Sequence, residues 1–412
     1  MLKLDLIETV AFAGIALFAG YALRKYIPAL GRYNLPAPVL GGLLVAVVAL
    51  IARTRGVTLV EFDTTLQSPL MIAFFTSVGF AAGISLLRHG GPLVLRFLLL
   101  ASVFAVLQNV VGMAIASLFG LHPLFGVLVG SVTLTGGPAT GLAFAPLFEQ
   151  AGVVGAASIA VAAAMAGIVC GGLVGGPVAT LLIRRHRLHG TAGAQPTPPV
   201  EKTVLSELVE GTTDGSISLA AEADEPDGFA ALKNLVAVLV AMWAGGWVSD
   251  GFAALGFTLP RYIGAMLVAA AIRNLDDATG WIGLSQRVIA EFGAVVLALF
   301  LVMALMTLRL WELAGLAIPL LTILAAQVVL VAAVCVWPVF QVMGRNYESA
   351  VMTGGFVGFM LGTTANAMAV MRTLVERYGA APVAFLVAPL VGAFFIDFTN
   401  AIIITLFLNL LS

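Results

Sequence analysis

This sequence has little charge: only 10% of its 412 residues are Asp, Glu, Lys or Arg, whereas 61% are hydrophobic. With a mean hydropathy of +1.08, the chain has too little polar surface to cover a water-soluble globule. Its 20 basic and 21 acidic residues nearly cancel, and the basic ones form no patch of the kind that grips nucleic acid. Cysteine is almost absent; Cys170 and Cys335 both lie in apolar stretches and read as buried small hydrophobes rather than as a disulfide or metal ligands. The four histidines, His89, His122, His186 and His189, fall at the ends of apolar segments or in a hydrophilic stretch, which argues against proton relay by imidazole. Paired carboxylates for an aspartyl hydrolase and clustered His or Cys for zinc chemistry are not visible in the apolar segments, so no catalytic residue and no cofactor is expected. The first apolar stretch ends in Arg24-Lys25 without a small-residue cleavage site, and we expect it to be a spanning helix.

What is abundant is apolar sequence long enough to cross ~30 Å of hydrocarbon at about 1.5 Å per residue. Segments fall at about 6–26, 36–52, 68–87, 91–118, 121–149 and 151–183, then at about 231–254, 258–273, 288–308, 313–337, 347–371 and 381–410. The fifth segment of each half carries Gly-Gly and threonine at its middle, features that break helices at membrane depth. If those two dip in and return, each half has five crossings and the second half is inverted relative to the first. With the N-terminus outside, fifteen Lys and Arg are then cytoplasmic and five are not, as the positive-inside rule requires. Both termini face outward on this reading. Between the halves, 188–230 is hydrophilic, with eight acidic residues and Lys202 as its one Lys or Arg, and reads as a flexible cytoplasmic linker or as a small docking segment around Val204–Val209. The expected architecture is an all-α polytopic membrane protein. It comprises an N-terminal repeat (1–187, re-entrant near 121–149), the linker (188–230) and an inverted C-terminal repeat (231–412, re-entrant near 347–371).

Duplication leaves echoes. Leu35-Pro36 before Gly41 matches Leu259-Pro260 before Gly264, and Gln108 precedes Gly136-Gly137 much as Gln327 precedes Gly354-Gly355. Inverted repeats bring two re-entrant tips together near the membrane midplane, where a site can open to either side in turn.

The first tip, Gly130 to Gly141, offers glycine for close approach and hydroxyls for a cation or a carboxylate. We expect substrate contacts from Thr133, Thr135, Gly136, Gly137, Thr140 and Gly141, and, in the second tip, from Gly354, Gly355, Thr363, Thr364 and Asn366. Asp397 is the only charged residue between Val383 and Leu411, and a lone carboxylate in hydrocarbon marks a cation site or a water-lined path. Asn400 lies one turn away, and with Ser131, Gly358 and Gly362 these residues are the expected ion ligands. Gln108, Asn109 and Gln327 are candidates for lining the cavity or for hydrogen bonds between helices. No Lys or Arg lies in either tip or beside Asp397, so an anion would be held by helix N-terminal N–H groups, hydroxyls, amides and a co-bound cation.

At these residues the chain resembles the bacterial sodium/glutamate symporter family, almost end to end. The likeness is carried by Pro36-Ala37-Pro38-Val39-Leu40-Gly41-Gly42-Leu43, Pro69 to Phe75, Gly130-Ser131-Val132-Thr133-Leu134-Thr135-Gly136-Gly137, Leu310-Trp311-Glu312-Leu313 and Val391 to Asp397. The resemblance implies an inner-membrane homodimer of inverted repeats, with a scaffold part and a transport part that moves like an elevator. It also implies uptake of L-glutamate, or a similar small anionic substrate, driven by Na+ as the coupling ion. The chain departs from the family at Pro138 and Ala139, where a His-Gly pair is common, and at Ala365 and Asn366, where a Pro-Thr pair is common.

Overall fold

The computed structural model describes residues 2–32, 35–56, 60–188, 228–254, 259–313 and 315–411. Nearly all of the expected linker, with Val204–Val209, Lys202 and His189, lies outside these residues.

The chain is built from sixteen α-helices among the described residues, taken here in order, with a short 3-10 helix at Leu310–Leu313. In the first half they are α1 (Leu6–Tyr26), α2 (Pro28–Arg32), α3 (Ala37–Thr54), α4 (Gln67–Phe80) and α5 (Ile84–Leu118, kinked at Gly91). There follow α6 (Pro123–Val127, running into a π-helical turn at Leu128–Val132), α7 (Gly137–Gln150) and α8 (Ala156–Arg185). The second half opens with α9 (Gly228–Ala254), α10 (Arg261–Thr279), α11 (Gln286–Met306) and α12 (Ala317–Val334), the last continuing through a π turn at Cys335–Val339 and a final turn at Phe340–Val342. It ends with α13 (Tyr347–Met360), α14 (Thr364–Tyr378), α15 (Pro382–Leu390) and, after a π turn at Val391–Phe395, α16 (Ile396–Leu411). Among the described residues, seven helices are long and apolar enough to cross a bilayer: α1, α3, α5 from Gly91, α8, α9, α11 and the extended α12. The only strands among the described residues are Leu2–Lys3 and Val60–Glu61, paired in parallel.

The apolar segments expected from sequence each find a helical counterpart, and the differences fall where the chain breaks. The segment expected at 121–149 is interrupted at 135–136. The one expected at 347–371 is two helices joined at 361–363 and runs on to Tyr378, and 381–410 is divided by a π turn.

Two units interleave the halves. The first comprises Met1–Gly31, Leu35–Ser85 and Glu210–Trp311; the second comprises Arg32–Asn34, Leu86–Val209 and Glu312–Ser412. Each unit thus draws helices from both halves of the sequence.

In the first unit, glycine sets the helix spacing. A Cβ on Gly41 of α3 would lie 2.1 Å from the Ala16 carbonyl oxygen of α1, and one on Gly264 of α10 would lie 2.2 Å from the Gly245 oxygen of α9. The two Pro-to-Gly echoes of the sequence therefore make the same kind of contact. Helices then exchange partners between halves: Gly42 of α3 meets Leu305 of α11, and Gly79 of α4 meets Met266 of α10. Apolar clusters seal these crossings, one around Ala13, Val302 and Met306, another around Phe80, Val238 and Ile289. Trp311 is covered by the Arg53 guanidinium, 4.1 Å from its ring centre.

The second unit is organised around α13 and α14. Tyr347 donates to the Gly379 carbonyl at one end, Gly355 faces Met371 along the middle, and Gly358 packs on the Ala367 backbone near the turn. The two helices thus form an antiparallel hairpin. Beneath it lies α8, whose Gly167, Gly171 and Gly175 recur every four residues on one face and meet Leu361, Gly358 and Gly354 respectively.

Candidate functional site

All of the expected site residues lie in the second unit. The first break forms because Gly130 leaves helical geometry (φ −91°, ψ −126°) and Gly137 takes a left-handed φ of +70°, with Pro138 unable to supply a donor to the preceding turn. The second forms at Leu361-Gly362-Thr363, where the Thr363 hydroxyl caps α14 by accepting from the Asn366 N–H at 3.4 Å.

The two breaks face each other. A Cβ on Gly137 would sit 3.5 Å from Thr363 Cγ2 and 3.9 Å from the Gly362 oxygen. Since α7 begins at Gly137 and α14 at Thr364, two helix N-termini converge here, each with backbone N–H groups that no intrahelical carbonyl satisfies.

A buried polar network runs behind them. Asn109 Oδ1 accepts from the Ser131 N–H at 2.9 Å, and Asn400 Nδ2 donates to the Ser131 carbonyl at 3.0 Å. Thr135 donates to Gln108 Oε1 at 2.7 Å, Gln108 Nε2 donates to the Met360 carbonyl at 2.9 Å, and Gln327 Nε2 donates to the Gln108 carbonyl at 2.7 Å. Gln108, Asn109, Ser131 and Gln327 are fully buried and Asn400 is 1% exposed, yet Asn109 Nδ2, Ser131 Oγ, Gln327 Oε1 and Asn400 Oδ1 have no partner among the described residues. An unsatisfied buried polar atom costs about 1–3 kcal/mol, and four of them in one network suit a site that a ligand completes.

Not every expected residue reaches this place. Gly354 and Gly355 lie inside α13, one to two turns before the break, and pack against Leu374, Ala179 and Met371; what they provide is close packing of the hairpin arms. Gly358 does the same nearer the tip, while Gly362 lies in the break itself beside the Asn366 amide. In the first segment, Thr133 returns its hydroxyl to the Leu128 carbonyl, Thr140 covers Gly136, and Gly141 packs on Ala160. Thr364 Oγ1 donates to the Gly392 carbonyl at 3.4 Å, and Asn366 Nδ2 donates to the Ile168 carbonyl at 2.6 Å, which ties the second tip to α8. Asp397 is partly buried at the start of α16, and among the described residues no hydrogen bond or ion pair reaches its carboxyl. Asn400, one turn on, is the residue of that helix that joins the first break.

The glycine face of α8 was not singled out in the sequence. Its signal was present as Gly167, Gly171 and Gly175, a four-residue spacing suited to close helix approach.

Comparison with known proteins agrees along the whole chain. The family model described as sodium/glutamate symporter matches residues 2–380. A sodium/glutamate symporter of Escherichia coli is 38% identical over 413 residues, covering 100% of this chain and 99% of its own. One of Haemophilus influenzae is 37% identical over 395 residues, covering 96% of this chain and 95% of its own. This chain is a member of the sodium/glutamate symporter family.

Proposed function

We propose that this chain is a secondary active transporter that takes up L-glutamate with Na+ across the bacterial inner membrane, and that its site lies between the two facing breaks. The observation that carries the reading is the approach of Gly137 to Thr363, which points two helix N-termini at one place where the sequence offers no Lys or Arg. Helix N-termini bind anions through free N–H groups and the macrodipole, so a substrate with two carboxylates suits the pair. The oxygens of Ser131 and Asn400, without a partner among the described residues, and the Asp397 carboxylate are hard donors of the kind Na+ takes. A sodium ion there would offset the carboxylate's charge and add positive potential for the substrate.

The finer architecture in this proposal is a pair of inverted repeats with one re-entrant hairpin each. Helices α13 and α14, of 14 and 15 residues, reach only about 21–23 Å at 1.5 Å per residue, short of a ~30 Å hydrocarbon core. A hairpin of that length enters and returns. The exchange of partners between α3–α11 and α4–α10 fits duplicated halves related by a two-fold axis. With termini outside, linker cytoplasmic and two copies per assembly, the second unit would carry the substrate and the first would serve as scaffold.

Purified protein in proteoliposomes tests the function: an inward Na+ gradient should drive uptake of labelled glutamate, and replacing Na+ with K+ or choline should stop it. Conductance without coupled counterflow or stoichiometry would instead identify a channel.

A further inference from the structure

We propose that Gln108 is a positioning residue that couples the two breaks, so that a cation at the first changes the affinity for an anion held at the second. The inference rests on the sodium-coupled reading above and assigns the linkage to one side chain.

A continuous path of hydrogen bonds carries it. The Ser131 carbonyl accepts from Asn400 Nδ2 at 3.0 Å, from the Thr135 N–H at 3.2 Å and from the Gly136 N–H at 3.0 Å, so a ligand drawn to Ser131 or Asn400 bears directly on the turn holding Thr135. The Thr135 hydroxyl donates to Gln108 Oε1, and the same amide donates through Nε2 to the carbonyl of Met360, the last residue of α13 before the second break. A carboxamide is planar, and its oxygen and nitrogen are held at a fixed angle on one carbon. Turning the oxygen to follow Thr135 therefore turns the nitrogen against Met360. Gln327 donates to the Gln108 backbone carbonyl at 2.7 Å, which ties the main chain of α5 at this point and resists its taking up the motion. The residue is fully buried, and water cannot replace either bond. Gln108 thus has one contact on each break and a fixed pivot between them, which is the physical connection a coupling free energy needs.

Equilibrium glutamate binding to the purified protein, with and without saturating Na+, reads the coupling as a ratio of dissociation constants. We expect a ratio on the order of tenfold or more in the parent. Gln108→Met keeps the volume but removes both bonds and should bring the ratio close to one. Should that variant fail to fold, Thr135→Val cuts the path at its first link and should also collapse the ratio, whereas Thr135→Ser keeps the donor and should retain it. A parent-like ratio in folded Gln108→Met or Thr135→Val overturns the proposal while leaving sodium coupling intact. A ratio of one in the parent overturns the sodium-coupled reading and the role of Gln108 together.

Discussion

Gly137 and Thr363 stand opposite each other across the two breaks, with only ordinary van der Waals room for a Cβ on the glycine, 3.5 Å from Thr363 Cγ2. The backbone there is left-handed, at φ +70°, a region where a side chain costs roughly 1–2 kcal/mol. Space tolerates alanine at this point and conformation does not. Gly137→Ala should therefore lower the melting temperature modestly and weaken glutamate binding several-fold, by tilting the first N–H groups of α7. Binding isotherms and melts on the same preparation check this, and parent-like affinity would place the anion elsewhere.

Asp397 supports no hydrogen bond or ion pair among the described residues, so its charge can be removed without breaking a contact. Asp397→Asn is nearly isosteric. Uptake driven by Na+ should disappear while expression, monodispersity and melting temperature stay near the parent's, because a lone carboxylate in a membrane helix contributes to function at a cost in stability. Unaltered sodium-dependent uptake would remove this residue from the ion site.

Much of this arrangement was legible in the sequence because membrane helices must be long, apolar and internally bonded, which leaves their ends and interruptions conspicuous. The stretch Gly130 to Pro138 announced a break through Gly-Gly and Pro, and it breaks there. Gly354-Gly355 carries the same dipeptide yet stays helical, since Gly175, Ala179 and Met371 press against it and need its lack of a side chain. The actual break, Leu361-Gly362-Thr363, has one glycine and a capping hydroxyl, a weaker signal. Sequence alone also could not show that each unit takes helices from both halves, because that grouping depends on which small residues meet across α3, α4, α10 and α11. Asn109 and Gln327 were visible as polar residues in apolar helices, but the atoms they leave open depend on which partner each amide has already chosen.

Beyond the apolar segment at 258–273, Asp276 closes the loop after α10. Burial pushes its carboxyl up, but the N–H groups of Leu284, Gly283 and Ile282, with Arg273 nearby, outweigh burial and hold it below the usual carboxylate range. A carboxyl whose folded pKa is depressed stabilises the fold above its unfolded value and loses that contribution as pH falls through the folded one. Asp276→Asn should thus be less stable than the parent near pH 7, by about 1.5–3 kcal/mol for hydrogen bonds to a charged acceptor. The gap should narrow below about pH 4, near the ordinary Asp value. Thermal melts of both proteins across that range give the comparison, and a gap independent of pH would mean that the charge contributes nothing.

Gly167 on α8 touches both breaks at once, since a Cβ there would lie 2.4 Å from the Leu361 oxygen and 2.6 Å from Leu134 Cδ2. The first of these atoms is main chain and cannot rotate away, so Gly167→Ala must push α8 off the second break or shift the break itself. Overpacking of this kind costs about 1–3 kcal/mol. Gly176 lies on the same helix with nothing among the described residues within 4 Å of its Cβ position, and Gly176→Ala should be neutral or stabilising by up to about 1 kcal/mol through helix propensity. The pair separates helix propensity from contact, because the substitution and the helix are the same in both. If the face of α8 positions the breaks, Gly167→Ala should lose most sodium-driven uptake at equal protein in the liposomes, while Gly176→Ala transports like the parent; equal uptake by the two would show that the approach of α8 to Leu361 has no part in transport.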